Sequence, residues 1–355
     1  MPTPATERDD SSLRTRVVTG LGEFRNAWDR LVETQPLPSP FLRSWWIEHA
    51  ASGTPTLIVC TVGDELVGGA AFEVDRIGAG PLSVERVRSL GQGVLAPDHL
   101  DLIAAREHHR AVARAVAQWL RRRGQRVVDL DGLAAEGTLA ALLAPHETDR
   151  VTSPYADLSV GAEKYLAARP GKVRSTVTRS ARRFERAGAR VERVGGRPDE
   201  IQEALDDLAR LHDHRWADGS PFLKGWDRCR AALAAGAAHG DVALHVLRDE
   251  RDETVAVEVD LVLGGRVGFY QAGRRTDREW RGCGSVVRAH VIGSAAEAGA
   301  VEYDLLRGDE PYKADWATDR REIVHCIMNR GALAAVATRA RARKHDKARQ
   351  DHVGD

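Results

Sequence analysis

Residues 242–271 read VALHVLRDERDETVAVEVDLVLGGRVGFYQ, and this stretch decides the fold. Three runs rich in Val, Leu and aromatic residues fall at 242–248, 254–263 and 266–271. Polar or glycine turns of a few residues separate them, which predicts an antiparallel meander. Immediately downstream, Gly282-Cys283-Gly284 opens a helix expected over 285–298, and a strand follows at 301–306. Upstream lie a strand at 190–194, a helix at 199–216 opening on Pro198 and early acids, and a second helix at 226–238. The order is therefore strand, helix, helix, meander, glycine turn, helix, strand, with a last strand at 321–328.

The first half repeats that order without repeating residues. A strand at 16–19 precedes a helix at 23–33, which the proline-rich QPLPSP at 35–40 ends. A short aromatic helix at 41–50 follows. Strands come next at 56–62, 66–75 and 84–90, a helix at 108–123 and a strand at 126–130. The pattern resets around 145–157. We therefore expect an α/β protein with a polar tail at 1–14, one domain at 15–155, a second at 156–330 and a basic tail at 331–355, the second half carrying a long basic helix at 162–187 broken at Pro170-Gly171.

Composition narrows the function classes. The chain has 355 residues, with 52 Lys and Arg balanced by 52 Asp and Glu. Neutrality as a whole requires no nucleic-acid or lipid partner. Only six of the cations are lysines, so a lysine inside a motif stands out from its arginine-rich background. Four cysteines, Cys60, Cys229, Cys283 and Cys326, are scattered without metal-ligand spacing, which argues against a zinc site or disulfide framework and suits a reducing cytoplasm. The N-terminus has no apolar core resembling a secretory signal, and no apolar run reaches the length of a membrane span. No Ser-His-Asp set, catalytic cysteine motif, Walker loop or zinc ligand set is visible, so no metal is expected.

The element order is that of the GNAT acyltransferase core, and particular residues sharpen the resemblance. Leu211-His212, Arg215-Trp216, Gly282, the run DLLRGDEPYKADW at 304–316, and Pro40-Phe41-Leu42 with Trp45-Trp46 together resemble the GNAT acetyltransferases first linked to cellulose biosynthesis, the CelD/BcsL type. That group is similar in turn to the Fem-type aminoacyl-tRNA-dependent transferases, which pair two GNAT-like domains. The resemblance implies two GNAT-like α/β domains, each a mixed, largely antiparallel sheet flanked by helices. It also implies acyl transfer to an amine, with acyl-CoA, acetyl-CoA foremost, as co-substrate.

Five constellations are candidates for the chemistry. Arg281, Gly282, Cys283, Gly284 and Ser285 form the turn that would present helix N–H groups to the coenzyme A pyrophosphate. The GNAT pattern there begins with Gln or Arg, and this chain has Glu279 at that place, flanked by Arg278 and Arg281. In the 304–313 run, Asp304 or Asp309 is a candidate base or amine-orienting group, and Arg307 a fork for carboxylate or phosphate. Tyr312 is a candidate proton donor to the leaving thiolate. Lys313 is a candidate oxyanion or phosphate partner, and the Fem-type resemblance implies the oxyanion role. A salt-bridged loop of ordinary structural purpose is the competing reading.

His212, Arg215 and Trp216 at the end of the 199–216 helix are candidates to shape the acceptor pocket, and helix-end packing is their alternative. The i, i+2 spacing of His212 and His214 does not aim both rings at one metal. Lys172, Arg179, Arg183, Arg186 and Arg190 make a helical stripe suited to a phosphate backbone, or to a solvated face lying against the acids at 199–207. Trp45 and Trp46 diverge by about 100°, so one is expected in the core and Trp46 is assigned to the acceptor side. The expected acceptor is a small-molecule or glycan- or peptide-linked amine. Transfer from an aminoacyl-tRNA and an inactive GNAT-like binding module are the alternatives.

Overall fold

The computed structural model describes residues 13–213 and 221–339. It divides into two compact units, one built from the chain up to Arg150 together with the segment from Ile323 onward, the other from Val151–Glu322.

In the first unit, strands β1 (Leu13–Val18), β2 (Thr54–Val62), β3 (Glu65–Ile77) and β4 (Val84–Ser89) pair antiparallel in that order. The two-residue β5 (Ile103–Ala104) pairs beside β3, and β6 (Arg126–Ala134) lies parallel to β4. Helices α1 (Arg25–Glu33), α2 (Ser44–His49), α3 (His109–Leu120) and α4 (Thr138–Leu143) cover this sheet. The apolar stripe read from α3 is buried: Val112, Val116, Trp119 and Leu120 all face inward.

The second unit repeats the scheme. Its strands are β7 (Glu147–Asp157), β8 (Arg190–Arg193), β9 (Val242–Arg248), β10 (Thr254–Leu263), β11 (Arg266–Arg274) and β12 (Glu302–Asp304). Strands β8 to β11 pair antiparallel in sequence, β12 lies parallel to β11, and β7 pairs antiparallel with β12. The helices are α5 (Ala162–Ala167), α6 (Gly171–Arg186), α7 (Pro198–Asp213), α8 (Trp226–His239), α9 (Cys283–Glu297) and the single turn α10 (Pro311–Ala314). Tyr165, Phe184, Trp280, Val287, Ile292, Tyr303 and Trp316 form the heart of its core. The last strand, β13 (Asp319–Arg330), pairs antiparallel with β6 through residues Ile323 to Arg330.

Each unit is thus a mixed, largely antiparallel sheet with one parallel pair, flanked by helices, as the element order implies. In each, three antiparallel pairings lead to a parallel one, and a sixth strand pairs antiparallel beyond it, β13 on β6 and β7 on β12.

Several sequence expectations are corrected. The segment after Glu322 groups with the first unit, so the second does not run to residue 330. Antiparallel pairing of β13 with β6 spans nearly two hundred residues, and local periodicity carries no trace of it. The stretch 147–157 is a strand, hidden by its polar residues and Pro154. Leu13 and Arg14 begin β1 instead of ending a tail; the helix-like character expected after the last strand is present at 332–339, where Ala334 is buried against Val84 and Val127. The breaks at Pro170 and Gly282 stand where expected.

Trp45 and Trp46 are both fully buried, at 0% exposure. The first unit encloses Ser44 to Ile47 of α2 and leaves Glu48 and His49 exposed: Trp46 meets Phe41 and Trp45 edge-on, and its indole N–H donates to Leu90 O at 3.2 Å. Neither ring presents a surface to a ligand.

Candidate functional site

The pairing of β11 with β12 is short. Arg266, Val267 and Gly268 match Glu302, Tyr303 and Asp304, and there β12 ends while β11 continues to Arg274. Within that continuation β11 carries a bulge. Phe269 pairs with Asp260 and Gln271 with Val259, leaving Tyr270 as the extra residue. The backbone edge of β11 beyond Gly268 therefore has no strand partner among the described residues. The result is a notch at the C-terminal end of the parallel pair, the end at which open α/β sheets hold ligands.

One wall of the notch is the loop after β12. Asp304, only 4% exposed, accepts a hydrogen bond from Leu306 N at 2.8 Å, and its other oxygen lies 3.3 Å from the Arg321 guanidinium. It also accepts from Ser153 Oγ at 3.3 Å. These bonds pin Leu306 at φ +55°, a left-handed conformation that a branched side chain adopts only when its surroundings impose it. Lys313, also 4% exposed, turns its ammonium inward to Leu306 O at 3.3 Å, to Arg307 O and to Glu310 Oε2 at 2.9 Å. Gly308, at φ +120°, gives it room: a Cβ there would stand 3.0 Å from Lys313 Nζ. Asp304 and Lys313 are thus tied to the loop's own backbone. Arg307 is partly exposed, Asp309 exposed, and the Tyr312 ring 39% exposed.

The second wall is the N-terminus of α9. Gly282, at φ +91°, precedes the helix, which has no side-chain cap; Ser285 N and Val286 N donate to Gly282 O at 3.1 Å, so an incoming acceptor would meet the N–H groups ahead of Ser285. A Cβ on Gly282 would run into Ser180 of α6, and one on Gly284 would approach Arg274 Nη1 to 3.1 Å. Arg183 of α6 donates to Arg281 O at 2.5 Å. Cys283 is buried, and burial pushes its thiol up from the ordinary range, so it can offer a ligand only its backbone. Ser285 is partly exposed. Glu279 stands exposed 3.6 Å from Arg275, a cation that also meets Asp277 at 2.8 Å and Glu253 at 4.0 Å. Its charge is answered locally.

Beneath the notch lies a cluster that sequence reasoning missed. Glu258 and Asp260, two residues apart on β10, point to the face covered by α9 and are fully buried. Arg288 of α9 reaches Glu258 at 3.3 Å. Its guanidinium lies 4.0 Å from the Phe269 ring centre and 5.1 Å from that of Tyr312. The Tyr303 hydroxyl lies 2.8 Å from Glu258 and 3.3 Å from Asp260, and His245 Nδ1 lies 3.3 Å from Asp260 Oδ2. Burial pushes both carboxyls well above the usual carboxylate range despite the neighbouring Arg288. Burial likewise lowers His245 to about 4. The signal was present in TVAVEVDLVL: two acids at alternate positions of an otherwise apolar strand must share one face.

The remaining candidates lie elsewhere. His212 ends α7 with its ring 5.1 Å from Phe222, in an aromatic group with Trp226 and Tyr270 on the α8 side of the sheet. Arg215 and Trp216 lie outside the described residues. The basic stripe is split between elements: Lys172 pairs with Asp315 at 2.8 Å, Arg183 is held on Arg281 O, and Arg190 belongs to β8, where it pairs with Glu192 and Asp252. The acids at 199–207 that were expected to face it have partners elsewhere: Asp199 pairs with Arg197, and Asp207 with Arg210. Lys172, Arg174, Arg179, Arg182 and Arg186 remain solvent-exposed on α6. All four cysteines are buried free thiols. Among the described residues no group of three or more metal-ligating side chains converges, and no helix is long and apolar enough to cross a membrane.

Comparison with known proteins places the same region within a recognised domain. Residues 171–314 match the family model of an acetyltransferase (GNAT) domain, and this span contains α6, the β8–β12 sheet, α9 and the 304–313 loop. Among solved structures, the crystal structure of FemX aligns with a TM-score of 0.61 at 12% identity, covering 88% of this chain and 96% of that one. A conserved protein of unknown function from Bacteroides thetaiotaomicron aligns at 0.55 with 12% identity, covering 89% of this chain and all of the other. No curated protein matches the sequence. The chain thus shares its fold with FemX, and residues 171–314 in its second half match a GNAT acetyltransferase domain.

Proposed function

We propose that this protein is an N-acyltransferase that moves an acyl group, acetyl foremost, from acyl-CoA to an amine by direct attack. The observation that carries this reading is the opening of β11 from β12 beside an uncapped, glycine-bounded helix start. The pyrophosphate of the donor fits the first N–H groups of α9, with Gly282 and Gly284 removing side-chain bulk and Arg183, Arg274 and Arg281 supplying positive charge. The acyl arm then follows the free edge of β11, whose N–H groups are placed to hold its amides and to polarise the thioester carbonyl.

The loop divides its labour. Tyr312, exposed at the notch, is the group suited to protonate the leaving thiolate, and Asp309 to accept the amine's proton. Arg307 anchors an anionic part of the acceptor. Asp304 and Lys313 act as positioning residues that hold the loop in its left-handed course. Among the described residues no side chain with the surroundings of an activated nucleophile stands at the notch, which favours transfer without an acyl-enzyme. We place the enzyme in the cytoplasm, acting on a small-molecule or glycan- or peptide-linked amine, in the manner of the CelD/BcsL type. Calorimetric titration with acetyl-CoA tests the donor. Saturable binding that CoA competes away and Arg281→Glu weakens at least tenfold is expected, and absence of binding to the wild type refutes it.

A second reading is transfer from an aminoacyl-tRNA. The observation favouring it is the exposed cationic face of α6, with Arg174, Arg179, Arg182 and Arg186 in solvent. That reading requires binding that weakens steeply with salt and is abolished by Arg179→Glu, and a flat salt response excludes it. An inactive binding module is excluded by turnover.

A further inference from the structure

We infer that Glu258 and Asp260 share one proton at neutral pH, bridged by the Tyr303 hydroxyl, and that this set positions Arg288 as the floor on which Phe269 and Tyr312 rest. The inference deepens the acyltransferase reading by adding positioning residues to the same notch, but its first part stands without that reading.

Two independent counts lead to it. The first counts hydrogens. Tyr303 has one hydroxyl hydrogen and lies within hydrogen-bond distance of both Glu258 Oε1 and Asp260 Oδ1. It can donate to only one carboxylate, so the other contact is favourable only if that carboxyl donates to the phenol oxygen. The shorter contact, 2.8 Å, is to Glu258, which also receives Arg288 Nη2 at 3.3 Å. Glu258 is therefore the ionised member and Asp260 the protonated one. Asp260 then donates from Oδ1 to Tyr303 and accepts His245 Nδ1–H at Oδ2.

The second counts charge. Glu258 and Asp260 are 0 to 1% exposed and Arg288 is 7% exposed. Two carboxylates against one guanidinium leave a net negative charge in the core, which is expensive without a partner. The other groups facing the pair do not supply one. His245 on β9 is buried in its neutral form, with Arg193 of β8 nearby opposing its charge. His290, next on α9, stands 6.2 Å from the His245 ring and is likewise pushed toward neutrality by burial. Burial raises the phenol of Tyr303 on β12 well above its ordinary range, and beyond Arg288 that of Tyr165 on α5, so both are uncharged near neutrality. One proton on the pair closes the account.

The consequence concerns Arg288. With the pair singly protonated, the guanidinium meets a single carboxylate, so it lies flat between Phe269 and Tyr312. When the second carboxyl ionises, Arg288 is drawn down toward two negative groups, and the support under Tyr312 is removed. The sign of the stability effect follows from the raised carboxyls. The folded state keeps a proton that the unfolded chain gives up near the ordinary carboxylate range, so stability falls as pH rises from about 4 to about 7 and levels off above.

The test is infrared spectroscopy of the full-length protein between about pH 5 and about pH 9, with thermal unfolding over the same range. We expect a protonated-carboxyl band at neutral pH that vanishes with a midpoint near 7. Both Asp260→Asn and Glu258→Gln should remove it, because the acid that remains is ionised by Arg288. Asp260→Asn, which imitates the protonated acid, should fold and lose one proton's worth of pH dependence in its melting temperature. Absence of the band in wild type, or its persistence in both variants, overturns the inference. So does an Asp260→Asn melting profile as steep as that of wild type. Should acetyl-CoA fail to bind, the donor reading falls while the infrared result still decides the proton.

Discussion

Lys313 shows how a residue singled out by its chemistry can take a different place from the one its sequence suggests. Its rarity as a lysine and its setting beside Tyr312 marked it as a charge for the reaction. In the fold its ammonium is enclosed by Leu306 O, Arg307 O and Glu310. Removing it leaves carbonyl oxygens without a donor in a loop already strained at Leu306. Lys313→Ala should therefore lower unfolding stability by about 2–3 kcal/mol as well as impair turnover, measurable by urea denaturation. A variant as stable as wild type but inactive would return Lys313 to a direct chemical role. The acids on β10 are the opposite case. Nothing in their neighbourhood marks them as exceptional except that they alternate within an apolar strand. Their importance comes from Arg288 and Tyr303, distant in sequence, which only the folded sheet brings to them.

Among the elements, α9 is the one most legible from sequence. Glycine at 282 and 284 and the apolar run after them specify a tight entry and a buried helix, and the structure supplies the reasons: a left-handed φ and Ser180 packed against the turn. Gly282→Ala should cost about 1–3 kcal/mol of stability for the left-handed conformation alone. It should also weaken acetyl-CoA binding, since the turn must shift away from Ser180. A variant that binds acetyl-CoA as tightly as wild type would separate the turn from the donor site. Strands β9 to β11 were legible for the same kind of reason, because alternation and short turns are local. Strand β7 was not, since ETDRVTSPYAD lacks the apolar alternation of a strand and is held by pairing with the distant β12. The basic helix read correctly as a helix, but its stripe depended on Arg190, which the turn at Gly188 hands to β8.

For the whole molecule, one order of elements serves twice, and each unit adds beside its parallel pair a strand from the other end of its stretch of chain: β13 for the first, β7 for the second. That exchange explains why the element order was readable while the domain limits were not. The notch between β11 and β12, with the α9 turn and the 304–313 loop as its walls, lies entirely within the second unit, and it is there that the chemistry is proposed. Release of free thiol from acetyl-CoA in the presence of a panel of primary amines tests this most directly. The account predicts thiol release matched one-for-one by acetylated amine, without an initial burst, and reduced at least tenfold by Tyr312→Phe. No release above the enzyme-free rate with any amine, or a burst from a covalent acyl-enzyme, would contradict it.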